Sequence, residues 1–382
     1  MFIDYEIAVI GAGIVGASIA AKLSSTGVSV ALLDKGAAGA LGSSGYSGGL
    51  VRLYDTDPLL MELAAYSIGL MEEGIFATTY SSALRRTGMI YRAAPDQLET
   101  IWSAIRQHAK VRYPMHLVGT HELDGVHYPH CHKDARVNLF EPRASVGNVR
   151  QAVASLSNVV RQSGLLLEHS EVQSIDCRSS HDVRIELGNA TLRCRAVVVA
   201  AGAWSERLLP GMDFGLQTRS IPLARVMTEN TWLMPIIDAV TQTYGIPLTR
   251  NIVQTGCGLR ETGALPESLP RPDERHVLDA SQRVQQLSAS ATDSSISVLD
   301  VLPGFDSYSP DGRPLLGFCA PYSPIYLATG MSGLGFKLAP GIAQIAYDQL
   351  RSHLAGQELN QDWKALSPAR VQANATGPSV QP

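Results

Sequence analysis

The pattern of apolar and polar positions opens with a strand. Residues 5–10 (YEIAVI) form a short apolar run, rich in β-branched side chains and closed by glycine, which predicts a buried strand. Small and apolar residues recur at helical spacing over 14–26, and 28–33 (VSVALL) repeats the buried-strand pattern. Strand, helix and strand in so short a span imply a parallel pair joined by a right-handed crossover. A Gly/Ser-rich stretch, 39–49, reads as a loop. Helices are predicted from about Pro58 into the seventies, over 95–110, and over 147–163, where Gly164 ends the last of them. Residues 111–140, crowded with His, Tyr and Pro, read as irregular. Strands follow near 165–177, 183–187 and 191–200. Residues 216–304 mix strands with one polar helix near 279–291. A strand at 324–328 and a helix over 340–354 follow, and the polar tail after Gly356 is expected to fray. No solenoid-type repeat is present.

Composition narrows the class. The chain has 382 residues, 45% hydrophobic and 17% charged, which is ordinary globular composition and a length suited to two domains. The net charge of −4, with no Lys/Arg-rich run, argues against nucleic acid or an anionic membrane as partner. No apolar run reaches the ~18 residues of a membrane span. The first apolar run reads as a buried strand and not as a signal peptide, so a cytoplasmic location is expected. The five cysteines (Cys131, Cys177, Cys194, Cys257, Cys319) are odd in number and widely spaced, with no CxxC. That pattern opposes a disulfide framework and a cysteine-based zinc site. His127, His130, His132 and Cys131 invite a metal reading, but no matching acidic or cysteine set accompanies them, so no metal is expected.

The strongest local signal is Gly11-Ala12-Gly13-Ile14-Val15-Gly16, a GxGxxG that leaves a strand and opens a helix. Gly11 permits the tight turn, Gly13 lets backbone approach a pyrophosphate, and Gly16 lets helix and strand pack closely. The helix N-terminus offers free N–H groups and a positive dipole end to phosphates. Asp34 ends the second strand 23 residues after Gly11, where a carboxylate can accept from a ribose diol. This fingerprint alone does not decide between FAD and NAD.

Three further segments carry a family resemblance. They are GSSGYSGGLVR (42–52), VVVAAGAWS (197–205), and SPDGRPLLG (309–317) continuing to ATGMSGLGFKLAP (328–340). With the fingerprint they resemble the D-amino acid oxidase superfamily of flavoproteins, especially its glycine oxidase and sarcosine oxidase branch. The likeness runs from about residue 5 to 355 in order, and 80–140 matches poorly. It implies FAD as cofactor. The FAD set it implies is Gly11, Gly13, Ile14, Val15, Gly16, Asp34, Lys35, Ser43, Ser44, Gly48, Gly49, Val172, Ala201, Gly202, Trp204, Gly330, Ser332, Gly333, Gly335, Phe336 and Lys337. Read from the residues, the glycine-rich loop before the last helix can present N–H groups and a dipole to the flavin N1–C2=O edge.

Amine oxidation asks little acid–base machinery of a protein. It must hold the reacting carbon near the flavin, exclude water, and anchor a carboxylate with a cation. The resemblance assigns that anchor to Arg52 and Lys337. It also sets Arg260, in GCGLR (256–260), where the sarcosine oxidases carry a lysine that promotes reaction with oxygen. Arginine is not equivalent to lysine, so oxygen and another acceptor both remain open. Other departures stand out. Asp306 occupies the place of an arginine in glycine and D-amino acid oxidases, where it could meet a cationic substrate group or cap a turn. Gly304 occupies the place of the cysteine that carries covalent flavin, so non-covalent FAD is expected. Tyr308 reads as a core tyrosine that could alternatively supply a hydroxyl to the site. Trp232, Met234 and Tyr244 fall in the segment that shapes the pocket in this family, although each alone reads as core.

These readings predict an α/β fold, α+β overall, with a Rossmann-like FAD-binding domain interleaved with a mixed-sheet substrate domain. The first is expected from 1–80, 145–215 and 305–355, the second from 81–144 and 216–304, with 356–382 as a tail. The expected reaction is oxidation of an amino acid or amine to an imine, with a small-molecule substrate. One alternative is a flavoprotein acting on a carrier-bound or protein-bound substrate in a biosynthetic pathway. Another is an aromatic flavin monooxygenase, disfavoured because Thr329-Gly330-Met331-Ser332 stands where those enzymes carry a GDAAH-like motif. Substrate identity and oligomeric state stay open.

Overall fold

The strand β1 (Phe2–Ile10) sends Ile7 and Val9 to one side and Ala8 and Ile10 to the other, all buried, so both faces of its sheet are covered. The structure is a computed structural model describing residues 2–119, 136–229, 231–287, 296–321 and 323–371. β1 lies between β2 (Val30–Leu33) and the strand Ala190–Val199, parallel to both. Leu165–Leu167 continues the parallel set beyond β2, and Ile325–Thr329 pairs in parallel with the end of Ala190–Val199. Antiparallel Asp182–Leu187, Val172–Ser179 and Leu315–Phe318 complete eight strands. The helix α1 (Ile14–Ser24), with helices Pro58–Leu70, Val149–Ser163 and Gly335–Leu354, covers one face around Ile7, Val9, Leu23, Leu63 and Ile342. The fold is mixed α/β, with three stretches distant in sequence meeting in one parallel-centred sheet.

A second eight-stranded sheet runs in the order Ser297–Leu302, Leu223–Met227, Ile252–Gly256, Thr243–Pro247, Ile236–Asp238, Met89–Ala93, Val137–Glu141, His116–Val118. Helix Glu274–Leu287 buries Ala280, Val284 and Leu287 against one face, together with Val226, Val253, Trp232 and Ile236. The other face carries Leu223, Tyr244, Ile246 and Ile237, which border the main cavity.

The elements differ from the sequence expectation in four places, each for a physical reason. The loop 39–49 contains a short helix, Gly42–Tyr46. Residues 111–140 hold the strands His116–Val118 and Val137–Glu141, which pair with each other across a long separation, and the second also pairs with Met89–Ala93, beyond the reach of a local pattern. The polar helix starts earlier, at Glu274. The last helix starts at Gly335 and places Pro340 inside it, where a proline ordinarily costs a helix hydrogen bond. There the Gly341 N–H donates instead to Ser67 Oγ at 3.1 Å, so the neighbouring helix serves the disturbed turn.

Candidate functional site

A cavity of about 420 Å³ runs from the carboxyl ends of β1 and β2 to the free face of the second sheet. At its first end Gly11 turns the chain with φ of +102°, and a Cβ there would stand 2.5 Å from the Ala200 carbonyl oxygen. A Cβ on Gly16 would stand 1.9 Å from the Gly11 carbonyl oxygen, so Gly16 packs helix against turn and does not line the cavity. Gly13, Ile14 and Val15 do line it, and the Ile14 N–H donates to Ser44 Oγ at 2.9 Å.

Asp34 borders the cavity while accepting from Ala12 N at 2.7 Å and Gly36 N at 2.8 Å, so it also braces the glycine turn. Burial pushes its carboxyl above the usual carboxylate range, and those two amides pull back only in part. Val172, Ala201 and Gly202 lie along the same wall. Lys35 sits 3.7 Å over the Trp204 ring, and Trp204 Nε1 donates to Glu267 Oε1 at 2.8 Å.

In the middle of the cavity Ser43, Gly48, Gly49, Gly330, Gly333, Gly335 and Phe336 line two facing loops. Asp306 ties those loops together. Its Oδ1 accepts from Ser43 Oγ at 2.7 Å and its Oδ2 from Gly333 N at 2.6 Å. Of the two roles open to it in the sequence, bracing a turn is what its bonds describe. Burial raises its carboxyl above the usual range. Ser332, with φ of +51°, does not line the cavity; its Oγ accepts from Ser309 N and donates to the Gly330 carbonyl.

At the far end the predicted cations meet around a carboxylate that sequence reasoning missed. Lys337 Nζ lies 2.9 Å from Asp55 Oδ2, and Arg52 Nη2 lies 3.9 Å from the same oxygen. Burial first, and then the Arg52 charge, lowers the Lys337 ammonium to about 8. Burial alone would raise Asp55, but Lys337 and Arg52 hold it below the carboxylate range. Arg52 lies over the Tyr91 ring at 5.8 Å, and its Nη1 is buried with no hydrogen-bond partner among the described residues. Asp55 stands in DTDP, where Asp57 caps the helix by accepting from Leu59 N at 2.9 Å, while Asp55 accepts from Asp57 N at 3.3 Å through Oδ1 and turns Oδ2 to Lys337.

Glu141 was also missed. Wholly buried, it accepts from Leu53 N at 2.7 Å, Tyr54 N at 3.2 Å and Tyr113 Oη at 2.9 Å, fixing the chain that follows Arg52.

Arg260, Tyr244 and Tyr308 complete this end of the lining. Tyr308 is therefore not simply core, and the Arg219 guanidinium stacks 4.5 Å over its ring. Trp232 and Met234, by contrast, are buried on the opposite face of the sheet. The His127, His130, His132 and Cys131 cluster lies outside the described residues. Among the described residues no set of three His, Cys, Asp or Glu converges as a metal site, and no helix is long and apolar enough to cross a membrane.

A sequence family described as FAD dependent oxidoreductase matches residues 6–349. A glycine oxidase of Pseudomonas putida is 25% identical over 366 residues, covering 90% of this chain and 94% of the relative. Among solved structures, an L-proline dehydrogenase from P. horikoshii superposes with a TM-score of 0.85 at 18% identity, covering 98% of this chain and 99% of that one. NikD, an unusual amino acid oxidase essential for nikkomycin biosynthesis, superposes with a TM-score of 0.77 at 16% identity, covering 96% and 97%. At such identities the structural likeness speaks for the fold.

Proposed function

This chain belongs to the family of FAD-dependent oxidoreductases, and from that membership we propose that it oxidises the carbon–nitrogen bond of an amino acid or related amine to an imine. The residues present fit the cofactor. Gly11 and Gly16 close the turn so tightly that no side chain is possible at either, while Gly13 and the first turn of α1 present backbone to the cavity. Bound FAD supplies a hydride acceptor. Adenosine and pyrophosphate are assigned to the end lined by Gly13, Ile14, Asp34 and Lys35, and the flavin to the facing loops at Gly48 and Gly333. FAD binding is assigned to residues 1–80, 145–215 and 305–355, and substrate recognition to 81–144 and 216–304. Non-covalent attachment is supported by the lining, which contains no cysteine among the described residues. At Gly304 any side chain would stand 2.4 Å from the Ile221 carbonyl oxygen.

The observation that carries the substrate reading is the buried Arg52 Nη1, without a hydrogen-bond partner among the described residues, beside the Lys337–Asp55 pair. A substrate carboxylate can accept from Arg52, with Lys337 adding charge at short range. That contact would orient the α-carbon toward the flavin, and the enclosing sheet would exclude water from the reacting bond. The imine would then hydrolyse in solution. To Arg260, which borders the cavity, falls the role of stabilising charge on an electron acceptor, whether oxygen or another molecule.

Anaerobic titration tests this reading. The purified yellow protein is mixed with glycine, sarcosine, proline, D- and L-amino acids and simple amines, and the flavin band is followed. Bleaching by an amino acid class supports amine oxidation. Rapid bleaching by NADPH without any amine would overturn it in favour of a monooxygenase.

A further inference from the structure

We propose that Asp279 and Arg283, on the helix Glu274–Leu287, are positioning residues for Arg260: they clamp the loop that carries it and so hold its guanidinium at the cavity wall. This rests on the reading of Arg260 as the cation that serves the electron acceptor.

No hydrogen bond or ion pair among the described residues restrains the Arg260 guanidinium. It nevertheless borders the cavity, close enough to two neighbours to act on them. Burial raises the Tyr244 and Tyr308 phenols, and the Arg260 charge opposes that rise. A long side chain with no partner of its own samples several rotamers, so its reach is set by its backbone. What places the guanidinium is therefore whatever holds residues 257–261.

Both ends of that stretch are fixed. Cys257 N donates to the Pro222 carbonyl at 2.9 Å, and the buried Cys257 Sγ lies 3.6 Å from the His276 carbonyl oxygen on the helix. Gly258 N donates to Asp279 Oδ2 at 2.6 Å, a short charge-assisted bond. Glu261 N donates to Ser220 Oγ at 2.7 Å, and Ser220 N donates back to the Glu261 carbonyl at 2.8 Å. Only Leu259, itself 40% exposed, and Arg260 stand between the Asp279 and Ser220 anchors.

Arg283 fixes the Asp279 carboxylate in turn. The two are one helical turn apart, and Arg283 Nε donates to the same Asp279 Oδ2 at 2.9 Å. Its Nη1 donates to the Gln242 carbonyl at 2.9 Å, beside the strand Thr243–Pro247. The guanidinium also fills the space a side chain at 258 would take, because a Cβ on Gly258 would stand 1.8 Å from Arg283 Nη2. Gly258 is not in the left-handed region, so the glycine serves this close approach and not a turn. Neither Asp279 nor Arg283 lines the cavity, so any effect they have on the site runs through the loop.

The test pairs stopped-flow kinetics with limited trypsin digestion of the holoenzyme, in wild type, Asp279→Ala, Asp279→Asn, Arg260→Met and the double variant Arg260→Met/Asp279→Ala. With whichever acceptor Arg260→Met slows, oxygen or an artificial quinone, Asp279→Ala should slow reoxidation about ten-fold. Anaerobic reduction by substrate should stay as in wild type. Asp279→Asn keeps an acceptor for Gly258 N and should retain most of the rate. In the Arg260→Met background Asp279→Ala should add nothing, because the residue it positions is gone. Trypsin needs the loop to open, so it should cut the Arg260–Glu261 bond about ten-fold faster in Asp279→Ala. If Asp279→Ala does not fold, Gly258→Ala carries the test, since its Cβ displaces Arg283, and the same slow reoxidation and faster cut are expected. A loss that persists in the Arg260→Met background, or a cut no faster than wild type, overturns the proposal. Arg260→Met as fast as wild type with both acceptors overturns the acceptor role and this proposal with it, whereas a slow Arg260→Met beside a fast Asp279→Ala overturns the positioning alone.

Discussion

Lys337 Nζ and Asp55 Oδ2 lie 2.9 Å apart across 282 residues of sequence, and they are the most enclosed ion pair bordering the cavity. The pair joins the start of the last helix to the segment after Arg52. It leaves Arg52 Nη1 buried without a hydrogen-bond partner among the described residues. An enclosed charge that loses its partner is destabilising, and more so than the pair is stabilising.

Asp55→Asn is therefore expected to cost about 3 kcal/mol of unfolding free energy near neutral pH. The loss should shrink above pH 8. Lys337 already titrates at about 8 with its partner present, and without Asp55 it would give up its proton at lower pH still. A neutral amine is far less costly to bury than an ammonium. Denaturant melts of wild type and variant at pH 7 and pH 9 measure this; a loss as large at pH 9 as at pH 7 would refute it.

The same lysine sets a limb of the activity profile. Below about pH 8 Lys337 is protonated and attracts a carboxylate; as pH rises through that value the attraction falls. kcat/KM, which reports the free enzyme, should accordingly decline on the alkaline side near pH 8. The substrate's own ammonium must lose a proton before oxidation and gives the opposite, rising limb. Lys337→Met should remove the decline and lower kcat/KM for amino acids, with simple amines less affected. A decline that persists in Lys337→Met belongs to another group.

Glu141 positions Arg52 without touching the cavity. In Glu141→Gln one acceptor oxygen becomes an N–H₂ that faces a donor, so at least one of three bonds is lost, at a cost of about 1–3 kcal/mol. If the segment after Arg52 relaxes, KM for carboxylate substrates should rise about ten-fold with kcat little changed, since the loss falls on ground-state and transition-state binding alike. A drop in kcat at constant KM would show that the role is different.

The parts of this molecule legible in sequence are those made by neighbours. The β1–α1–β2 unit, its three glycines and Asp34 fall within one short stretch; a Cβ on Gly16 would meet the Gly11 carbonyl and Asp34 accepts from Ala12 N, although what crowds Gly11 is the distant Ala200. Arg52 and Lys337 were reachable through motif resemblance, and the cavity brings them together. What escaped was long-range. Asp55 finds Lys337, Glu141 finds Leu53 and Tyr54 across 88 and 87 residues, and Asp306 finds Ser43 across 263. No periodicity announces such partners. Pro340 misled in a similar way, because the acceptor that lets the helix run through it, Ser67, lies on another helix.

Arg260 offers the final prediction. It lines the cavity near Tyr244 and Tyr308, where burial raises both phenols above their ordinary range, so neither adds a negative charge at neutral pH. The guanidinium, to which the acceptor role is proposed, is then not opposed there by a phenolate. Its charge is spread over a plane and weakly hydrated, whereas a lysine ammonium is a compact point charge. Charge developing on oxygen during flavin reoxidation is stabilised best by a concentrated cation at short range. Arg260→Lys should therefore raise the rate of reoxidation by oxygen about ten-fold, and Arg260→Met should lower it. Anaerobic reduction by a good substrate should change little in Arg260→Lys. Stopped-flow mixing of reduced enzyme with oxygen, and separately with an artificial quinone, resolves the two half-reactions. If Arg260→Met reoxidises as fast as wild type with oxygen, the cation at 260 has no part in electron transfer to it, and its charge serves the substrate instead.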